Sequence, residues 1–87
     1  MDQKYYVLAF YLFTSIEEPE KEVLKHKKFF ASRDVTCRIY ISKDGINAQM
    51  SALKEHALEY MDWMRSDDRF KNIDFKIHFN HEQVFPR

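Results

Sequence analysis

The sequence predicts a single α+β domain in which four antiparallel strands carry two helices on one face. Three observations lead there. A nine-residue β-forming run opens the chain, and three later stretches alternate apolar and polar residues with a period of two. Two stretches with helical spacing fall between them, so the order is β-α-β-β-α-β. The only glycine among 87 residues, Gly45, sits beside Asp44 between two alternating runs, where a hairpin belongs.

The first strand is Tyr5-Tyr6-Val7-Leu8-Ala9-Phe10-Tyr11-Leu12-Phe13. It is apolar on both alternating faces, as a central strand covered on two sides would be. Thr14-Ser15 break the run, and Pro19 suits the first turn of a helix. Glu17, Glu18, Glu20 and Glu22 precede Lys25, Lys27 and Lys28, which complements the helix dipole. The first helix is expected over 19–32, with Val23, Leu24, Phe30 and Ala31 as its apolar stripe. Lys27 falls within that stripe, its stem expected along apolar surface and its ammonium in water.

Residues 36–42 place Cys37, Ile39 and Ile41 on one face and Thr36, Arg38, Tyr40 and Ser42 on the other. Ile46, Ala48 and Met50 then alternate with Asn47, Gln49 and Ser51. A type I′ turn at Asp44-Gly45 would pair Ser42 with Asn47, Ile41 with Ala48, Tyr40 with Gln49 and Ile39 with Met50. Opposed residues share a face, so the apolar sets coincide, and a one-residue slip would mismatch them all. Leu53, Ala57, Tyr60, Met61 and Met64 form a helical stripe over 53–65, with Leu58 and Trp63 off it. Ile73, Phe75, Ile77 and Phe79 alternate with Asp74, Lys76, His78 and Asn80 in a last strand, and the tail over 81–87 has no clear period.

With right-handed crossovers this order gives a ferredoxin-like βαββαβ sandwich spanning 1–87. The helices are expected over the Ile39/Met50/Phe75 side. The other face then shows Arg38, Tyr40, Asn47, Gln49, Lys76 and His78, together with either Tyr6/Leu8/Phe10/Leu12 or Tyr5/Val7/Ala9/Tyr11/Phe13. A helix-free face with an apolar central stripe calls for a cover: another domain, another chain or a ligand.

The totals exclude several function classes. Lys and Arg number 14 against 14 Asp and Glu, so nucleic-acid binding must come from a local patch, and DNA is not an expected partner. The longest apolar run is too short to cross a bilayer, so no membrane partner is expected. One cysteine allows no internal disulfide, and a cytoplasmic location is expected. Cys37 reads as a small buried hydrophobe on the core face, not a nucleophile. His78 and His81 lack further ligands, so no metal site is expected, and no cofactor is expected either. Asp67-Asp68 read as a solvated turn or cap. A single glycine cannot supply a phosphate-cradling loop. Arg38, Tyr40, Lys76 and His78 mix cations and rings on one face, a combination able to grip single-stranded RNA. Trp63 is either a partner anchor or a partly covered edge residue.

An ordered set of fragments carries a family resemblance. These are Tyr11-x-Phe13-Thr14-x-Ile16-x-x-Pro19, then Arg38-Ile39 leading to Gly45-Ile46-Asn47, then Met61-x-x-Met64-Arg65-x-Asp67-x-Arg69-Phe70, then Phe75-Lys76, and finally Phe85. Together they resemble the N-terminal domain of the bacterial rhodanese-related tRNA uridine hydroxylase family, over essentially the whole chain. At the hairpin, where the family usually has E-G-I-N-G-T-x-S-G, this chain has Lys43-Asp44 before the glycine and Ala48, Gln49 and Ala52 at small or glycine positions, with Ser51 kept. The resemblance implies an oxidoreductase that forms 5-hydroxyuridine at the wobble uridine of tRNA, using oxygen. It also implies a catalytic cysteine in a rhodanese-like domain C-terminal to this one, and Cys37 does not match that cysteine.

The expected role is therefore an accessory domain of a tRNA-modifying protein, catalytically silent alone. It would pack on the catalytic domain of the same polypeptide and help hold tRNA. Arg38, Tyr40, Lys43, Asn47, Arg65, Arg69 and Lys76 are the candidate contacts to RNA or to that domain. Two rivals stand beside it: a stand-alone acylphosphatase-like hydrolase, and a regulatory or oligomerising module whose open face pairs with a copy of itself.

Overall fold

The structure, a computed structural model, describes residues 5–80. Its elements are β1 (Tyr5–Phe13), α1 (Pro19–Phe30), β2 (Val35–Ser42), β3 (Gly45–Leu53), α2 (Lys54–Arg65) and β4 (Lys76–Asn80). The strands form one sheet in the order β2-β3-β1-β4, every neighbouring pair antiparallel. This is the expected ferredoxin-like α+β architecture. His81, Phe85 and the tail lie outside the described residues.

β1 occupies the sheet interior between β3 and β4, but among the described residues the helices cover only one of its two apolar faces. Leu8 and Phe10 are buried, and their register partners Met50 and Ala48 are buried with them. The helices close that side: Ala57, Tyr60, Met61 and Met64 of α2 are all buried, as their spacing predicts. Phe10 packs edge-on against Phe75, with ring centroids 4.8 Å apart. Such a contact is worth about 0.5–1.5 kcal/mol beyond area burial. β4 begins at Lys76, not at Ile73. Ile73 instead closes a turn, its backbone N–H donating to the Phe70 carbonyl (3.1 Å), but Ile73 and Phe75 still fill the core.

The hairpin differs from its expected register by two residues. Ser42 pairs with Gly45, Ile41 with Ile46, Tyr40 with Asn47, Ile39 with Ala48 and Arg38 with Gln49. The turn is therefore Lys43-Asp44, and no described non-glycine residue has positive φ, which rules out type I′. A shift of two preserves the sorting of faces, so the inward and outward sets stand.

Gly45 has a different task from the one expected. It opens β3 opposite Phe13, with φ +155°. A Cβ there would lie 2.1 Å from the Leu12 carbonyl oxygen. Two further bonds seat β1 against the turn: Thr14 N–H donates to the Asp44 carbonyl and Ile16 N–H to the Lys43 carbonyl, each at 3.0 Å. The glycine permits the close approach of two backbones.

On α1 the buried stripe is rotated from the expected one. Glu22 and His26 point inward at 4% exposure each, whereas Leu24 is 57% exposed. Phe29 and Phe30 complete the inner stripe, and Lys27 lies off it in solvent. The helix ends at Phe30, short of Ser32. Cys37 shares the core side of the sheet through its pairing with Met50, but on edge strand β2 it is exposed, not buried.

Replacing Gly45 by Ala adds a strained dihedral and an overpacked strand contact, together about 3 kcal/mol. Thermal unfolding followed by circular dichroism should show a midpoint lowered by more than about 10 °C. An unchanged midpoint would mean β1 does not approach the turn as described.

Candidate nucleic-acid interface

The face turned away from the helices is set by parity along the strands. β1 sends Tyr5, Val7, Ala9, Tyr11 and Phe13 to it, which settles the choice the alternation left open. Register then arranges the side chains in rows across the sheet. One row is Tyr40, Asn47, Tyr11, and the next is Arg38, Gln49, Ala9, Lys76. Phe13 lies opposite Gly45 at the hairpin end. Four of the candidate residues, Arg38, Tyr40, Asn47 and Lys76, thus share one surface, and Lys43 stands at its rim in the turn.

Three large rings on this surface are open to solvent: Tyr11 at 70%, Phe13 at 83% and Tyr40 at 71% exposure. Tyr11 and Phe13 meet edge-on, with centroids 6.1 Å apart. Tyr11 and Phe13 were absent from the candidate set, because alternation alone could not choose between the two faces of β1. The usable signal was Ala9, a small residue in register with Tyr11, beside the larger Leu8, Phe10 and Leu12 of the buried set. At the opposite end the surface closes. The Tyr5 hydroxyl donates to Asp34 Oδ2 at 2.9 Å, and Thr36 and Ser51 are buried.

Tyr11 separates two recesses. One, of about 290 Å³, is lined by Tyr11, Phe13, Tyr40, Gly45 and Asn47 among others. The other, of about 360 Å³, is lined by Tyr11, Asn47, Gln49, Asn72 and Lys76 among others. Lys76 Nζ is paired with Asp74 at 2.6 Å. Arg38 and Lys43 have no ion pair among the described residues, so their charge is available to a ligand.

Arg65 and Arg69 lie elsewhere, on the helix side of the sheet. The Arg65 guanidinium stands 4.9 Å from the Phe75 ring centroid. Arg69 Nη2 lies 2.5 Å from Glu22 Oε1 and 2.6 Å from Asp67 Oδ2, and its backbone N–H donates to Asp67 Oδ1 at 2.9 Å. Asp67 is thus a turn cap, and its hydrogen bonds from Arg69 hold its carboxyl below the usual carboxylate range. The Glu22 side chain is only 5% exposed, so Arg69 neutralises a buried carboxylate and ties α1 to the loop after α2.

Beside that ion pair, His26 is committed on both nitrogens. Its Nδ1 lies 2.9 Å from the Glu22 carbonyl oxygen, which can only accept, so Nδ1 carries the proton. Nε2 then accepts from the Tyr60 hydroxyl, also at 2.9 Å. Burial pushes the His26 pKa below its ordinary 6.5, with Lys25 adding to the effect and Glu22 opposing it. Trp63 stacks on Phe29 at 4.5 Å and meets His26 edge-on at 5.1 Å, so it joins the two helices. Neither ring nitrogen is free for proton transfer, and the apolar surroundings that partly desolvate the Cys37 thiol on the edge strand raise it above its ordinary value, which disfavours the thiolate. Among the described residues, no three His, Cys, Asp or Glu side chains are grouped to hold a metal. No helix among them is long and apolar enough to cross a membrane.

A four-stranded antiparallel sheet under two helices, with an exposed outer face, is the acylphosphatase-like class of ferredoxin-type domain. The family model described as "UPF0176 acylphosphatase like domain" matches residues 5–87, and the chain belongs to that family. Among its relatives is the tRNA uridine(34) hydroxylase of Protochlamydia amoebophila, 49% identical over 86 residues, covering 99% of this chain and 27% of that protein. The proteins of the same name from Chlamydia pneumoniae and Chlamydia trachomatis serovar D are 48% and 45% identical over 87 residues, with the same 27% of their length covered. This chain therefore spans about a quarter of these relatives, and they contain further polypeptide beyond the matching region.

The His26 geometry has a consequence for stability. A folded-state pKa below the unfolded value means the unfolded chain binds the extra proton more readily. His26 then favours folding above pH 6.5, and that contribution is lost as the pH falls below it. Urea unfolding of the 87-residue chain between pH 7.5 and 5 should show falling stability. Replacing Tyr60 by Phe should cost about 1 kcal/mol at pH 7.5. A stability independent of pH in that window would contradict a buried neutral His26.

Proposed function

We propose that this chain is the N-terminal domain of a tRNA uridine(34) hydroxylase, that it contacts tRNA through its outer sheet face, and that it supplies no catalytic residue. On this reading, a cysteine in a rhodanese-like domain C-terminal to it carries the oxygen-dependent conversion of uridine 34 to 5-hydroxyuridine, in the cytoplasm. The observation that carries the reading is the surface on which Tyr11, Phe13 and Tyr40 stand exposed beside Arg38 and Lys43, cations with no ion pair among the described residues. Rings for stacking and cations for phosphates are the two elements of single-strand RNA recognition. Relatives that bear the hydroxylase name match this chain from end to end. Arg65 and Arg69 lie on the far side, so they serve the interior or the junction with the rest of the protein.

The hydrolase alternative has less support. The segment joining β1 to α1 contains no glycine or arginine, and it holds exposed Glu17 and Glu18. That segment lacks the glycine-rich backbone cradle that a phosphate needs.

The test is the full-length protein with Arg38, Lys43 and Lys76 all changed to Ala. Affinity for tRNA should fall about tenfold or more, and the slope of log affinity against log salt should flatten by roughly 2–3. Unchanged tRNA affinity would overturn the RNA role of this face.

A further inference from the structure

Tyr11 lines two recesses, and carboxamides line each of them: Asn47 in the first, Asn47, Gln49 and Asn72 in the second. Resting on the reading above, we propose that this hairpin half of the sheet holds two successive unpaired nucleotides of RNA, one base on each side of the Tyr11 ring. Tyr40 and Phe13 complete the walls of the first recess. Asn47 lies between Tyr40 and Tyr11 in one cross-strand row, so its amide faces the edge of a base placed between those rings.

The geometry favours a nucleobase over a protein side chain. Adjacent strands lie about 4.8 Å apart, so Tyr40 and Tyr11, on strands either side of β3, stand about 10 Å apart at the backbone. That spacing admits a flat ring between two flat rings after small side-chain rotations. The core of a protein–protein junction is its more apolar part. Here the centre is Asn47 and Gln49, exposed, their side-chain amides without a hydrogen bond among the described residues. An amide offers a donor and an acceptor together, the pattern presented by the edges of uracil, cytosine, adenine and guanine alike. Arg38 lies one row from Tyr40 on the same strand and Lys43 stands at the turn, so phosphates leaving the first recess in either direction meet a cation. In the second recess Lys76 is held by Asp74, which leaves that end nearly neutral. The surface therefore grips the backbone on the β2 side and the bases at Tyr11. A base must be unpaired to stack on the Tyr11 ring, so the site selects single strands over a duplex.

The experiment titrates the full chain, isotopically labelled, with a single-stranded oligouridylate, and again with an RNA duplex of the same length. Expected are shifts at Tyr11, Asn47 and Tyr40 with the single strand, weak or no shifts with the duplex, and affinity lowered about tenfold or more by Tyr11→Ala. Tyr11→Phe, which keeps the stacking ring, should bind within about twofold. Equal binding by Tyr11→Ala, equal binding of the duplex, or shifts confined to the helices would each overturn the proposal. So would protection of Tyr11 and Tyr40 by the remaining polypeptide in the full-length protein without RNA, which would make this face a domain junction. Loss of tRNA affinity on removing Arg38, Lys43 and Lys76, with none on removing Tyr11, would sink the stacking site and leave the tRNA reading standing.

Discussion

The approach of β1 to the β2–β3 hairpin is the contact on which the rest of the structure depends. Phe13 faces Gly45 with no room for a Cβ, and the backbone of Thr14 and Ile16 bonds to the carbonyls of Asp44 and Lys43. Those bonds fix where β1 stops relative to the turn. They therefore fix the register of nine residue pairs between β1 and β3. Because side chains alternate strictly, that register decides at once which residues fill the core and which stand outside. Leu8, Phe10 and Ile46 go in, and Tyr11, Phe13 and Asn47 go out.

The two layers are held by different physics. Between the sheet and α2 the packing is apolar, as the Ala57/Tyr60/Met61/Met64 stripe requires. Between α1 and its surroundings it is substantially polar: Glu22 is neutralised by Arg69, and His26 takes the Tyr60 hydrogen bond. Glu22 and His26 are tolerated in the interior because each is paired, and removal of either partner leaves an expensive orphan. The same pairing keeps these residues out of chemistry. Arg69 and His26 would be attractive candidates on composition alone, but Arg69 Nε and Nη2 and both His26 ring nitrogens are engaged inside the fold. Arg38, Lys43, Asn47, Gln49 and the three exposed rings keep their capacity unspent together, on the sheet's outer face or at its rim.

Much of this was legible in the residues. Period-two alternation sorted β2 and β3 correctly, and Arg38, Tyr40, Asn47 and Lys76 came out on one face because their alternation is clean. The hairpin register missed by two because hydrophobic parity is blind to even shifts. The lone glycine invited a turn assignment, whereas its actual reason, the Leu12 carbonyl, lies 33 positions earlier in the chain. The α1 stripe departs from the expected one for the same kind of reason. Glu22 and His26 look like surface residues until Arg69 and Tyr60, 47 and 34 positions away, are seen beside them. Tyr11 and Phe13 remained undecided because β1 is apolar on both faces, and only the placement of the helices chooses between them.

The central claim is that the outer face between β2, β3 and β1 is where this domain meets tRNA. The most direct measurement is amide hydrogen exchange of the full-length protein with and without tRNA. The account predicts slowed exchange concentrated at Tyr11–Phe13, at Arg38–Tyr40 and from Lys43 to Gln49, with little change on the outer surfaces of α1 and α2. Slowed exchange confined to the helices, or to polypeptide outside this domain, would contradict it.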